Sequence, residues 1–175
     1  VGVRLRQERP EDGWEVEALF DLCFAPGREA LSSYRLREGV PPVADLCLLA
    51  RDPTGALAAA VRFWPVRVDS APALLLGPIA VHPTHQGEGL GGGLVREALS
   101  RAAADWPRVL LVGDLPYYGR LGFVRLAGVT MPPPTNPDRV LGQALTPGAW
   151  DGIAGAVTRW AGPLPAARER PSDRS

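Results

Sequence analysis

The residues whose types and spacing most directly imply chemistry are Gln86-Gly87-Glu88-Gly89-Leu90-Gly91-Gly92, between an apolar run and an amphipathic stretch. Four glycines remove the side chains that would hold an anion away from the backbone. At a helix start their N–H groups converge into a nest with partial positive charge. A plain glycine-rich turn is the competing explanation. Gly91 and Gly92, however, each cost about 1 kcal/mol inside a helix start, and a turn alone does not require them there. Anion binding is the expectation. The spacing Gly87-x-Gly89-x-x-Gly92 also fits the dinucleotide fingerprint, with Asp114 after the next strand as the ribose acid. Two features weigh against that fit. His82-Pro83-Thr84-His85-Gln86 separates strand from glycines, where the fingerprint runs from one straight into the other. The chain also ends at Ser175, about sixty residues past Asp114, too soon for the rest of a doubly wound domain.

Other reactive side chains are few. His82 and His85 are the two histidines, and with no adjacent acid or thiol they do not make a metal site. Cys23 and Cys47 lie in apolar runs, without disulfide or metal spacing, and read as buried thiols of a reducing cytoplasm. All nineteen basic residues are arginines. A phosphate loop ending in Gly-Lys-Ser/Thr and any Schiff-base lysine are therefore excluded.

The elements that must position the loop follow from patterning. Residues 2–8 alternate as a first strand, and Pro10-Glu11-Asp12 opens a helix. Val16, Leu19, Phe20, Cys23 and Phe24 form its buried stripe, and Pro26-Gly27 stops it. A second helix is expected over 28–38, ending near Gly39. Strands over 44–51 and 56–68 flank the turn Asp52-Pro53-Thr54-Gly55. In the second, the buried parity changes from Val61 and Phe63 to Val66 and Val68, which predicts a bulge or bend at Pro65. Leu74 to Val81 reads as a central strand buried on both faces, with a bulge at Gly77-Pro78. A helix over about 90–105 buries Leu90, Leu94, Ala98, Ala102 and Trp106 and pairs Glu97 with Arg101. Val109–Val112 returns as a parallel strand through a right-handed crossover. Pro116 starts a short helix that Gly122 ends. Strands at Phe123–Leu126 and about 138–146 flank the Pro-rich 132–137. A single domain over 1–162 with a flexible tail at 163–175 is the expected organisation.

Nineteen basic and nineteen acidic residues cancel. That balance lacks the basic footprint a phosphate backbone demands, so nucleic acid is not an expected partner. No apolar run is long enough to span a bilayer, and the first residues lack the apolar core of a signal peptide. A cytoplasmic protein without membrane partners is the expectation; a homodimer stays open.

Gln86-x-x-Gly89-x-Gly91, following Ile79-Ala80-Val81-His82-Pro83, resembles the acetyl-CoA signature of the GNAT superfamily of N-acetyltransferases. Tyr117-Tyr118-Gly119-Arg120-Leu121-Gly122-Phe123 resembles the same superfamily's second signature. Order and separation also match, and Ala144–Trp150 is similar to the closing stretch of a bacterial, largely uncharacterised subgroup. The likeness spans 1–160. It implies an α/β (α+β) fold: a mixed, mostly antiparallel sheet whose central parallel strands splay, with helices on both faces. It further implies that Gln86, Gly87, Glu88, Gly89, Leu90, Gly91 and Gly92 hold the pyrophosphate of acetyl-CoA. The backbone of Ile79, Ala80 and Val81 would pair with the pantetheine arm and polarise the thioester oxygen.

In that frame the reaction is attack of a primary amine, on a small molecule or a protein, on the thioester. Tyr118 matches the position of the general acid, which a group of pKa about 10 can serve at neutral pH; Tyr117 reads as packing. The glutamate many relatives carry near the central strand has no counterpart over 74–81. Asp114 is the nearest candidate base, beside a water chain. A non-catalytic acyl-CoA sensor is the alternative: it keeps the loop but has no need of Tyr118. Arg28, Arg35 and Arg37 raise an acidic acceptor, but mixed with Glu29 and Glu38 they read as a solvated helix face.

Overall fold

Alternation at the N-terminus becomes a strand, β1 (Arg4–Gln7), in the computed structural model, which describes residues 2–24 and 32–164. Pro10–Asp12 makes a 3-10 turn with Pro10 in its first position. It feeds α1 (Gly13–Cys23), which buries Val16, Leu19 and Phe20 against Leu49, Ala60 and Ala80. Of the second expected helix, residues 32–35 are helical as α2 (Ser32–Arg35), and 36–39 form a turn. Its first part, 28–31, and the Pro26-Gly27 stop lie outside the described residues.

The strand expected from residue 44 begins later. Ala44–Leu46 is a 3-10 turn and β2 is Leu48–Arg51. In the turn to β3 (Leu57–Val68), Asp52 Oδ1 accepts from the N–H groups of Thr54 and Ala56. β4 (Ala71–Val81) pairs antiparallel with β3 along almost its whole length.

Pro65 does not carry a bulge. It sits in unbroken register opposite Leu74, and the register shifts between Val61 and Phe63 instead. There the Gly77-Pro78 bulge of β4 adds one residue, at a glycine with φ +133°. The change of buried parity in β3 has another cause, namely that different layers cover different parts of the strand. Val61 and Phe63 face the α3 side, while Val66 and Val68 on the opposite face meet Leu126, Met131 and Val157.

After β4 come α3 (Leu90–Ala102), β5 (Arg108–Val112) and α4 (Leu115–Tyr118), whose 3-10 extension is closed by Gly122. β6 (Val124–Arg125), β7 (Val129–Thr130), β8 (Val140–Ala144) and β9 (Gly155–Arg159) complete the described chain. The sheet order is β1-β2-β3-β4-β5-β8-β6. All these pairings are antiparallel except β4 with β5; two-residue β7 also runs parallel to β9. β9 occupies the part of β3's edge that β2 leaves, pairing with Val66–Val68. α3 packs on one face and α1 on the other, so the sheet is the mixed one expected, not a doubly wound parallel sheet. Among the described residues no helix is long and apolar enough to cross a membrane.

α1 is locked to the sheet edge through Asp12, which is buried. Its carboxylate accepts from Arg6 Nη1 and Nη2 at 2.7 Å each, from Arg51 Nη2 at 3.0 Å and from the Arg9 N–H at 2.8 Å. The hydrogen bonds from Arg6 are the main force holding its pKa well below the usual carboxylate range. A depressed pKa contributes stability that is present above the unfolded value and lost as pH falls toward the folded one. Asp12→Ala is expected to destabilise by on the order of 2–3 kcal/mol, less than a fully buried pair because both arginines reach water. In urea titrations the gap to wild type should narrow below about pH 4; a gap that does not depend on pH would rule out the carboxylate as its source.

Candidate active site

β4 and β5 pair at Leu74–Val109 and Leu75–Leu110 and then separate. Beyond the bulge, β4 keeps β3 on one edge only. The His82 N–H donates to Ala58 O at 2.7 Å, and alternation along an antiparallel strand turns the Ala80 amide the same way. The N–H and C=O of Ile79 and Val81 therefore face the gap. In agreement, Val81 O accepts from Gln86 Nε2 at 3.3 Å and from Cys23 Sγ at 3.4 Å.

Two cavities meet at this gap. One, about 510 Å³, is bounded by Ile79–Val81, the loop from His85 to Gly91, and Tyr117 and Tyr118. The other, about 380 Å³, lies between Gly77–Ile79, Leu111–Asp114, the two tyrosines, Tyr34, Arg37 and Arg139. Ile79, Tyr117 and Tyr118 wall both.

The loop has the form an anion needs. Gly87 and Gly89 have φ of +86° and +78°, and a Cβ at either would stand in open space, so the backbone is bare toward the cavity. Gly89 caps α3 without a side-chain hydrogen bond, leaving the first N–H groups of a 13-residue helix to a ligand. Gly91 has a further reason to be glycine. A Cβ at Gly91 would stand 3.0 Å from Tyr117 Oη and 3.3 Å from Val81 Cγ2, whereas one at Gly92 would meet only the movable end of Arg96 at 3.3 Å and Leu121 Cδ2 at an ordinary 3.4 Å. Packing against Tyr117 thus gives Gly91 a role beside the anion binding read from sequence. Glu88 accepts from His85 Nδ1 at 2.9 Å, while His85 Nε2 reaches Asp52 at 3.3 Å. His85 clasps the loop to the β2–β3 turn. His82 bonds Thr84 at 2.8 Å.

Tyr118 stands edge-on to Tyr117, centroids 4.9 Å apart, and to Phe123 at 5.8 Å. A Cβ on Gly113 would come within 2.4 Å of its ring, so only glycine lets the tyrosine lie against β5's end. Burial, above all, pushes its pKa up to about 12. Asp114 lies at the cavity mouth with its side chain 73% exposed, 3.4 Å from Arg139. Arg37 departs most from the sequence reading. Expected on a solvated helix face, it is buried and lines the smaller cavity. Gly113 and Arg139 were not anticipated either; a glycine directly after a buried strand was the signal for the first.

A mixed sheet whose central parallel pair opens beside a glycine-rich helix start is a GNAT-like fold. Residues 44–125 match the family model for the acetyltransferase (GNAT) domain. A crystal structure of an Escherichia coli GNAT family N-acetyltransferase (YhbS) in complex with CoA is 28% identical, with TM-score 0.78 over 90% of this chain and 89% of that one. A Brucella melitensis GNAT family acetyltransferase in complex with acetyl-CoA is 28% identical, with TM-score 0.69 over 91% and 97%. Arabidopsis thaliana Naa50, at 17% identity and TM-score 0.60 over 82% and 99%, shares the fold. No curated protein sequence matches the chain. Residues 44–125 are thus similar to the GNAT acetyltransferase domain, and the chain shares the GNAT fold.

The hydrogen bond to Glu88 is the main cause holding the His85 pKa above its ordinary 6.5. A raised histidine pKa means that the charged clasp is complete at low pH and lost as pH rises through the folded value. NMR titration of His85 should give a pKa above about 6.5, and Glu88→Gln should bring it down. A value at or below the ordinary one would mean that the clasp does not form in solution.

Proposed function

We propose that residues 1–162 form an acetyl-CoA-dependent N-acetyltransferase that moves the acetyl group to a primary amine by direct attack on the thioester. The observation that carries this reading is the outward edge of Ile79 and Val81, which runs between a bare glycine loop at one end and Tyr118 at the other. The bound thioester supplies the acetyl group. Backbone N–H groups from Gly87 to Gly92 hold the pyrophosphate. Gln86 anchors the loop to Val81 and turns to the phosphates when they bind. The main chain of Ile79–Val81 receives the pantetheine arm as an added strand, with Ala80 keeping β4 on β3. An outward N–H of Ile79 or Val81 donates to the thioester oxygen as it gains charge.

The smaller cavity takes the amine, because it meets the cofactor side at Ile79 and both tyrosines. Alignment across that shared wall supplies several kcal/mol of the barrier. Tyr118 protonates the departing sulfur, and burial keeps its proton in place at neutral pH. The amine must lose a proton, and among the described residues that line the cavity Asp114 is the carboxylate. Asp114 is exposed and ion-paired, so it takes the proton at the mouth through water.

Calorimetry with CoA should give saturable binding to wild type and to Tyr118→Phe alike, while Tyr118→Phe lowers turnover by about 10²–10⁴-fold, the usual general-acid contribution. Absence of heat with any CoA species would remove the whole assignment; binding without thiol release for any amine would favour the sensor. Because the general acid must stay protonated and its pKa is near 12, kcat should not decline between about pH 8 and 10. A fall with an apparent pKa near 10 would show that Tyr118 is solvated or is not the acid.

A further inference from the structure

Among the described residues, the amine-side cavity is walled by two arginines and one acid: Arg37, Arg139 and Asp114. Arg139 and Asp114 pair with each other at its mouth. Arg37 stands inside. It is 8% exposed, its guanidinium carbon lies 4.1 Å from the ring centre of Tyr34 and 5.6 Å from that of Trp64, and Nη2 donates to Ser33 Oγ at 3.3 Å. Nη2 is also the atom nearest to Gly77, 3.5 Å from where a Cβ there would stand. Gly77 is the bulge at which β4 leaves β5, two residues before Ile79. A fixed cation therefore lines the amine's cavity beside the point where the strands open.

Arg37 meets the α2 side at Tyr34 and β3 at Trp64, and it also faces the cavity. Arginine differs from other cations in having a planar fork that meets a carboxylate with two parallel hydrogen bonds. Stacking on the two aromatic rings fixes that plane in advance, which lowers the ordering cost of binding. A volume of about 380 Å³ suits a molecule of amino-acid size.

We propose that the acceptor is a small amine that also bears a carboxylate, an amino acid or close analogue, held with its carboxylate on Arg37 and its amine at the thioester. This carboxylate site presupposes the acetyl transfer proposed above. The amine nitrogen forms a bond to the thioester carbon and the carbon–sulfur bond breaks. Sulfur leaves as the thiol with the Tyr118 proton, the proton the nitrogen sheds passes through water to Asp114 and on to solvent, and the tyrosine regains its proton from solvent. The carboxylate takes no part in bond making; it sets where the amine sits.

The test compares amino acids with their carboxamides, following thiol release from acetyl-CoA and correcting each rate to the neutral amine. Wild type should favour the carboxylate member of the best pair by about 10–100-fold in kcat/KM, the range expected for a charged hydrogen bond. Arg37→Met should bring that ratio to about 1, with Arg37→Lys between them, since it keeps charge but loses the fork. With CoA bound, the amino acid should also raise the Tm of wild type more than its amide does. Equal use of both members, preference for the amide, or an equal loss on both in Arg37→Met would overturn the proposal, and the wild-type comparison decides even if the variants do not fold. Failure of the transfer reading looks different, since no amine then releases thiol; the Tm comparison still decides whether Arg37 takes a carboxylate.

Discussion

Two strands that run parallel for two residue pairs and then separate leave main-chain donors and acceptors facing a slot inside the protein. Backbone groups in such a place need partners, and most other features of the molecule make the slot or fill it. The Gly77-Pro78 bulge shifts β4 against β3 by one residue, so Leu74 and Leu76 before it and Ile79 and Val81 after it lie on the side of α3. β5 stops at Val112, and the chain turns into α4, whose tyrosines close the far wall. Without the bulge the two strands could continue together, and neither cavity would exist in this form.

The rest of the site is held by contacts that come from distant parts of the chain. His85 joins the glycine loop to the β2–β3 turn, and the Gln86 amide joins it to the end of β4. Tyr117 fills the space left by the missing side chain of Gly91, and Tyr118 does so at Gly113. Four glycines thus serve two purposes in one small volume: Gly87 and Gly89 bare the backbone, and Gly91 and Gly113 admit a tyrosine. The tyrosine hydroxyl gains its high pKa from the same close packing that aims it.

Much of this was legible in the sequence because it is local. The strand, glycine loop and helix from 74 to 102 follow from apolar runs and glycine placement alone, as do the bulge at Gly77-Pro78 and the turn at Asp52. What failed was tertiary. Residues 64–68 of β3 show the parity of a layer contributed by residues far along the chain, and this looked like a local bulge at Pro65. β7 and β9 are short and exposed along much of their length, with too little alternation to register. Arg37 was misjudged because charge mixing along a segment does not reveal which of its arginines turns inward. The role of Gly91 was only half seen, since no sequence pattern reports that a tyrosine 26 positions later lies against it.

The outward edge of β4 presents only peptide groups, and peptide groups are common to every residue type but one. Exchanging Ile79 or Val81 for another side chain of similar bulk alters the core behind the strand while leaving its polar face unchanged. Such exchanges therefore leave the donors and acceptors of this edge in place. Proline alone would erase a donor, so evolutionary constraint on this wall takes the form of a residue that must stay away.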